Sequence, residues 1–139
     1  MDAASFHELV ARYSFAKAGD IFRSDGRVKF VLSDGGKEHG YVYIWVERTD
    51  QQFDIVYVGM AGKTLKARCG QHQGGFSGST TGRAHFGRLN VGFDSGRQYE
   101  IYARRSEFGE VLGEIQIPMV CAEELAFIKK FRPPWNRGA

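Results

Sequence analysis

Glu124 stands where a carboxylate has to be answered by a cation. Residues Pro118 to Arg132 read as a helix, and at about 100° per residue Val120, Cys121, Leu125, Phe127, Ile128 and Phe131 fill one broad apolar face. Glu124 falls near the centre of that face, with Val120, Cys121, Phe127 and Ile128 at i±3 and i±4, while Glu123 lies toward its edge. A carboxylate left unpaired in apolar surroundings either costs several kcal/mol or takes up a proton. A divalent metal ion or an arginine would each stabilise the ionised form, and the residue alone does not choose between them.

Other side chains could share chemistry with it. Arg68 and His72 stand at i and i+4 of a predicted helix and so occupy one face. Tyr43 and Tyr57 lie in two apolar runs that read as a hairpin; a register symmetric about Asp50 sets them directly opposite, on one face of the sheet. Asn136 follows Pro134 near the C-terminus. Taken singly, each has an ordinary structural reading: surface charge, sheet packing, turn residue. Gly62-Lys63-Thr64 after a strand suggests a phosphate-binding loop, but the position that needs glycine five residues earlier is Tyr57. A nucleotide-hydrolase loop is therefore rejected, and Lys63 stays available for a phosphate.

The elements that must position these groups form an alternating series. Ser5-Phe6-His7-Glu8 has the form of a capping box opening a helix, with Gly19 as its stop, and Val28 to Leu32 reads as a short strand ended by the turn Ser33-Asp34-Gly35-Gly36. Tyr41–Val46 and Ile55–Met60 are strands apolar at nearly every position, predicting a sheet covered at least in part on both faces. A helix from Gly62 to Gln73 opens at Thr64. Gly74 to Gly82 is too glycine-rich for regular structure and reads as a mobile loop; a short helix is expected around Arg83 to Leu89, and Gln98 to Arg104 is a third strand. The Glu124 helix stops at Pro133-Pro134, and Trp135-Asn136-Arg137 follows. Residues 1–39 are set apart as an N-terminal accessory segment and residues 40–139 as the domain that carries the chemistry.

Composition bounds the partners. With 139 residues, 42% apolar and 25% charged, the chain is one globular domain, and the helices and strands above make it α+β. Net charge is +3 but uneven: residues 1–60 hold 7 basic and 9 acidic side chains, residues 61–139 hold 12 and 7. Positive charge thus gathers in the half that holds Glu124, as a polyanionic partner requires. Cys69 and Cys121 are isolated, which excludes a zinc cluster and predicts two buried thiols in a reducing compartment. No segment resembles a secretory signal or a membrane span, so the expected location is the cytoplasm, with signal-free export as a toxin the alternative, and no membrane partner is expected.

Taken together, Val42-Tyr43, Tyr57-Val58-Gly59, Leu65-x-x-Arg68-x-x-x-His72, Glu124 and Pro134-x-Asn136 occur in an order and spacing that resembles the GIY-YIG nuclease superfamily. The likeness covers about residues 40–137. Tyr41-Val42-Tyr43 departs from the Gly-Ile-Tyr of the first element, and Val58 replaces the isoleucine of the second.

The resemblance implies a small three-stranded antiparallel sheet flanked by helices, and hydrolysis of phosphodiester bonds with one divalent metal, Mg²⁺ or Mn²⁺, held by Glu124. It implies that Arg68 binds the phosphate as charge develops, that Tyr43 or His72 orients or deprotonates water with Tyr57 in support, and that Asn136 anchors the site. Lys63, Lys66, Arg83 and Arg88 are the expected nucleic-acid contacts. Double-stranded DNA is the implied substrate and a homodimer is possible; an RNA nuclease and a non-catalytic nucleic-acid-binding module are the alternatives.

Overall fold

The computed structural model describes residues 1–33 and 40–136. The elements in chain order are α1 (Ala3–Arg12), β1 (Ala16–Ser24), β2 (Arg27–Leu32), β3 (Tyr41–Arg48), β4 (Phe53–Ala61), α2 (Leu65–Gly78), α3 (Thr80–Asp94), β5 (Gln98–Arg105), β6 (Phe108–Val111), β7 (Ile115–Pro118) and α4 (Val120–Phe131). Five strands form an antiparallel sheet in the order β2-β1-β5-β3-β4, and β6-β7 is a separate hairpin. The three expected strands are β5, β3 and β4. The segment set apart as accessory adds two more, because β1 pairs with β5 from Ala16↔Ala103 to Ile21↔Tyr99.

β3 lies second from the β4 edge with helices over both faces, which is why Val42 to Val46 are apolar at every position and have no accessible surface. One face, carrying Tyr43, Trp45 and Ile101, packs on Leu65, Cys69 and Phe76 of α2 and Leu89 of α3. The other face, with Val42, Ile44 and Val58, packs on Phe6 and Val10 of α1 and Val120 and Phe127 of α4. Both faces being buried, a slip of one residue would exchange the two cores, and the register is fixed accordingly.

Several expectations are corrected. The cap of α1 is Asp2, whose carboxylate accepts from Ser5 N at 2.8 Å, and Gly19 lies inside β1 instead of ending a helix. The glycine-rich stretch is helical: α2 continues to Gly78, and α3 starts at once, with Ser79 closing the first and capping the second through a 2.9 Å bond from Gly82 N. Glycine is needed there because a Cβ on Gly82 would lie 1.9 Å from Gly75 O; the two helices touch backbone to backbone. Cys69 is buried as expected, but Cys121 is exposed. The turn expected at 33–36 falls, beyond Ser33, outside the described residues, as does Arg137. Among the described residues no helix is long and apolar enough to cross a membrane.

Candidate active site

Tyr43 and Tyr57 do share a face of the sheet, but not as direct partners. Tyr43 is opposite Gly59, and Tyr57 is opposite Trp45, an offset of two residues from the symmetric register; a bulge follows between Trp45 and Val46. An even offset keeps both rings on one side, 6.3 Å apart between centroids. Gly59 makes room for this: a Cβ there would stand 2.4 Å from the Tyr43 hydroxyl.

α2 lays its polar residues over these rings. His72 is buried, with its ring edge-on to both Tyr43 and Tyr57, and Nε2 lies 2.5 Å from the Tyr43 hydroxyl. One turn earlier, the Arg68 guanidinium faces both phenols. Gln71 accepts from Arg68 Nη1 at 2.9 Å and helps to aim it. Guanidinium can only donate, so it takes lone pairs of the Tyr43 oxygen, and the phenolic O–H donates to His72 Nε2. His72 accepts because it is neutral: desolvation, then the nearby charges of Arg68 and His85, push its pKa down to about 3.

Burial raises the pKa of Tyr43 well above the phenolic value and raises that of Tyr57 also, with Arg68 opposing both shifts. The hydrogen bond between Tyr57 and Tyr43 also opposes the rise at Tyr57. The two rings differ in access. Tyr43 has no accessible surface, whereas Tyr57 is partly exposed. The run Tyr57–Tyr43–His72 therefore leads from the surface into the core.

Glu124 comes from α4 on the opposite face. It is half-buried instead of central in an apolar stripe, because Cys121 and Leu125 beside it are exposed; Val120, Phe127, Ile128 and Phe131 face the core. The arginine ion pair goes to its neighbour: Glu123 meets Arg104 at 2.8 Å and accepts from Glu107 N. Among the described residues Glu124 has no such pair. Desolvation raises its pKa and the charge of Arg68 opposes the rise, while its own charge reaches Tyr57. It thus belongs electrostatically to the tyrosine–arginine cluster, across the edge strand β4. Among the described residues no group of three or more His, Cys, Asp or Glu could hold a metal. A single half-desolvated carboxylate fits Mg²⁺, which keeps most of its waters and takes one or two carboxylates.

Asn136 lies alongside β4, accepting from Val58 N and donating to Val58 O, both at 2.8 Å; Trp135 N donates to Val56 O at 2.9 Å. Lys63 and Lys66 are exposed at the start of α2, and Arg83 and Arg88 are exposed along α3.

Sequence reasoning missed His85. It is 2% exposed, packs on Tyr57 at 4.8 Å and Trp45 at 5.2 Å, and has its pKa pushed down to about 4 by desolvation, then by Arg88 and Arg68. The signal was the spacing Gly82, His85, Leu89, Gly92, a buried stripe at helical period.

An α+β sheet with helices on both faces and a polar cluster at one edge defines the class. Among solved structures, the chain is similar to a glutamate-to-alanine mutant of bacteriophage T4 EndoII, with TM-score 0.72 and 24% identity over 94% of this chain and 98% of that one. It is also matched to restriction endonuclease HPY188I in complex with product DNA, with TM-score 0.48 and 14% identity over 95% and 82% of the two chains. No protein-family model matches the chain. No curated protein sequence matches it either.

Proposed function

We propose that this chain is a metal-dependent DNA endonuclease of the GIY-YIG type. The observation that carries the reading is that Tyr43, Tyr57, Arg68 and His72, from three elements, converge on one polar cluster whose charges couple to Glu124 from a fourth. The motif order and the fold shared with EndoII support it. A binding module needs cations against phosphate; a half-desolvated carboxylate there would repel the ligand.

Arg68 binds the scissile phosphate and stabilises negative charge on its oxygens as the bond breaks. Tyr57, the ring with access to solvent, orients the attacking water and receives its proton. Tyr43 and His72 stand behind it: as Tyr57 accepts a proton, its own can pass to Tyr43, and the Tyr43 proton to His72 Nε2, so no isolated phenolate has to form. The anionic phosphate offsets the Arg68 charge that now disfavours a protonated His72. Glu124 would hold Mg²⁺ or Mn²⁺, which supplies Lewis-acid stabilisation of the leaving oxygen when bound. Asn136 fixes β4, and with it Tyr57, by its two bonds to Val58. Lys63 and Lys66 contact flanking phosphates.

The test is incubation with supercoiled plasmid, linear duplex and RNA, each with Mg²⁺, Mn²⁺ or chelator. Nicking of DNA that needs the metal and falls by about a thousandfold in Glu124→Gln, with the fold intact, is the expected result. Salt-sensitive binding with no cleavage under any ion would leave only a binding module.

A further inference from the structure

A broad cleft of about 1010 Å³ opens between the exposed face of α3 and the C-terminal end of α4, and it reaches the tyrosine–arginine cluster through rings: Trp135 in its wall packs on His85, which packs on Tyr57 at 4.8 Å. Its floor is apolar, with Val56, Phe131 and Trp135. Its rim carries Arg83 and Arg88 from α3 and Lys130 and Arg132 from the end of α4 and its cap. Among the described residues none of these four has an ion-pair partner. Two acidic side chains share the lining: Glu47 is answered by Arg97 at 3.3 Å and by the Tyr99 hydroxyl at 2.6 Å, and Asp54 lies 3.7 Å from the N-terminal ammonium. The rim is therefore cationic in excess over an aromatic floor. Between its two arginines α3 contributes Ala84 and Gly87, too small to fill the space.

The position of the cleft is as telling as its chemistry. It begins at Val56, the residue before Tyr57 on β4, and Trp135 both lines it and packs on His85 and Tyr99. A chain whose phosphate is held at Arg68 would continue into it. Duplex DNA turns its bases inward and offers such a floor nothing to cover it. Unpaired bases would lie on the floor while their phosphates meet the rim.

We propose that this cleft binds a single-stranded DNA segment continuous with the strand held at the tyrosine–arginine cluster, with bases on the Phe131–Trp135 floor and phosphates on Arg83, Arg88, Lys130 and Arg132. The choice of DNA rests on the nuclease reading; the demand for unpaired nucleotides comes from the cleft itself.

The experiment uses the full chain carrying Glu124→Gln, with chelator, so that cleavage plays no part. Fluorescein-labelled oligothymidylate and a blunt duplex of equal length are titrated by anisotropy at several salt concentrations. The single strand should bind more tightly than the duplex. Arg88→Glu with Lys130→Glu should weaken single-strand binding by at least about tenfold and flatten its salt dependence, with the melting temperature unchanged because both residues are exposed. Unchanged affinity in the double variant overturns the proposal, as does a duplex that binds as well, or polyglutamate that competes as strongly as oligothymidylate. Tighter binding of oligouridylate than of oligothymidylate would overturn the assignment to DNA. A chain that binds in this way but never nicks plasmid would sink the nuclease reading and leave the cleft assignment standing.

Discussion

The Tyr43 hydroxyl and His72 Nε2 lie 2.5 Å apart in a part of the fold where Tyr43 has no accessible surface and His72 is 8% exposed. In that setting neither group titrates near neutrality on its own, since burial drives the phenol up and the imidazole down. The pair is thus a neutral hydrogen-bonded couple. Tyr57, with its ring 5.7 Å from that of His72, is the member of the group that a water molecule can reach.

The two tyrosines should accordingly fail differently. Tyr57→Phe is expected to lower kcat by roughly 10²–10⁴-fold with little change in stability. Tyr43→Phe leaves His72 Nε2 buried without its donor and should cost about 1–3 kcal/mol in urea unfolding, with a rate loss as well. Single-turnover cleavage and denaturation curves for both variants decide the matter. Full activity in Tyr57→Phe would remove it from the reaction.

Arg68→Ala should lower kcat by about 10²–10³-fold while the Kd for DNA moves only a few fold. On the proposed reading the guanidinium holds the reacting phosphate beside the phenols, so its contribution would belong to the transition state. Equal losses in kcat and affinity would make Arg68 a binding residue only.

Acid should weaken the fold in a defined window. His72 and His85 have folded-state pKa values pushed down to about 3 and about 4, below the ordinary 6.5. Unfolded histidines take up protons first, so the stabilisation from burying them neutral is complete above pH 6.5 and is lost as pH falls toward 3–4. At pH 5 each loss is roughly 2 kcal/mol. Urea midpoints measured from pH 7.5 to 4.5 should show the fall, and His72→Gln should make it shallower. An identical slope in that variant would mean that other groups set the acid limit.

Two glycine substitutions on either side of the β4 end should contrast sharply. Gly59→Ala puts a Cβ 2.4 Å from the Tyr43 hydroxyl, so the ring must move; a cost of about 1–3 kcal/mol and a loss of cleavage are expected. Gly62→Ala meets nothing within 4 Å and should be close to neutral on both counts. Thermal melting and nicking assays on the pair check this.

The candidate site was legible because it depends on residue types that sequence shows directly: Tyr43, Tyr57, Arg68, His72 and Glu124 appear in order on elements whose helical or strand period is clear, and Asn136 follows the prolines that end the last helix. The register of the hairpin was not, because counting inward from the turn does not show the bulge at Trp45–Val46. β1 was hidden by Ala16, Ala18 and Gly19, small residues that carry no strand signal. His85 lay within the short helix expected around Arg83 to Leu89, but reading Gly74 to Gly82 as a loop hid that α3 begins at Thr80 and packs on α2, where Gly75 and Gly82 serve the close contact of the two helices. The short β6–β7 hairpin, with Phe108, Leu112 and Ile115 exposed, follows no core period that could have shown it.

β4 closes one side of the sheet, yet its outward backbone groups at Val56 and Val58 are already engaged by Trp135 and Asn136. Such borders invite pairing with other chains when left bare. Without Trp135 and Asn136 an apolar strand would lie uncovered, so these two residues shield the β4 border as well as holding Tyr57 in place.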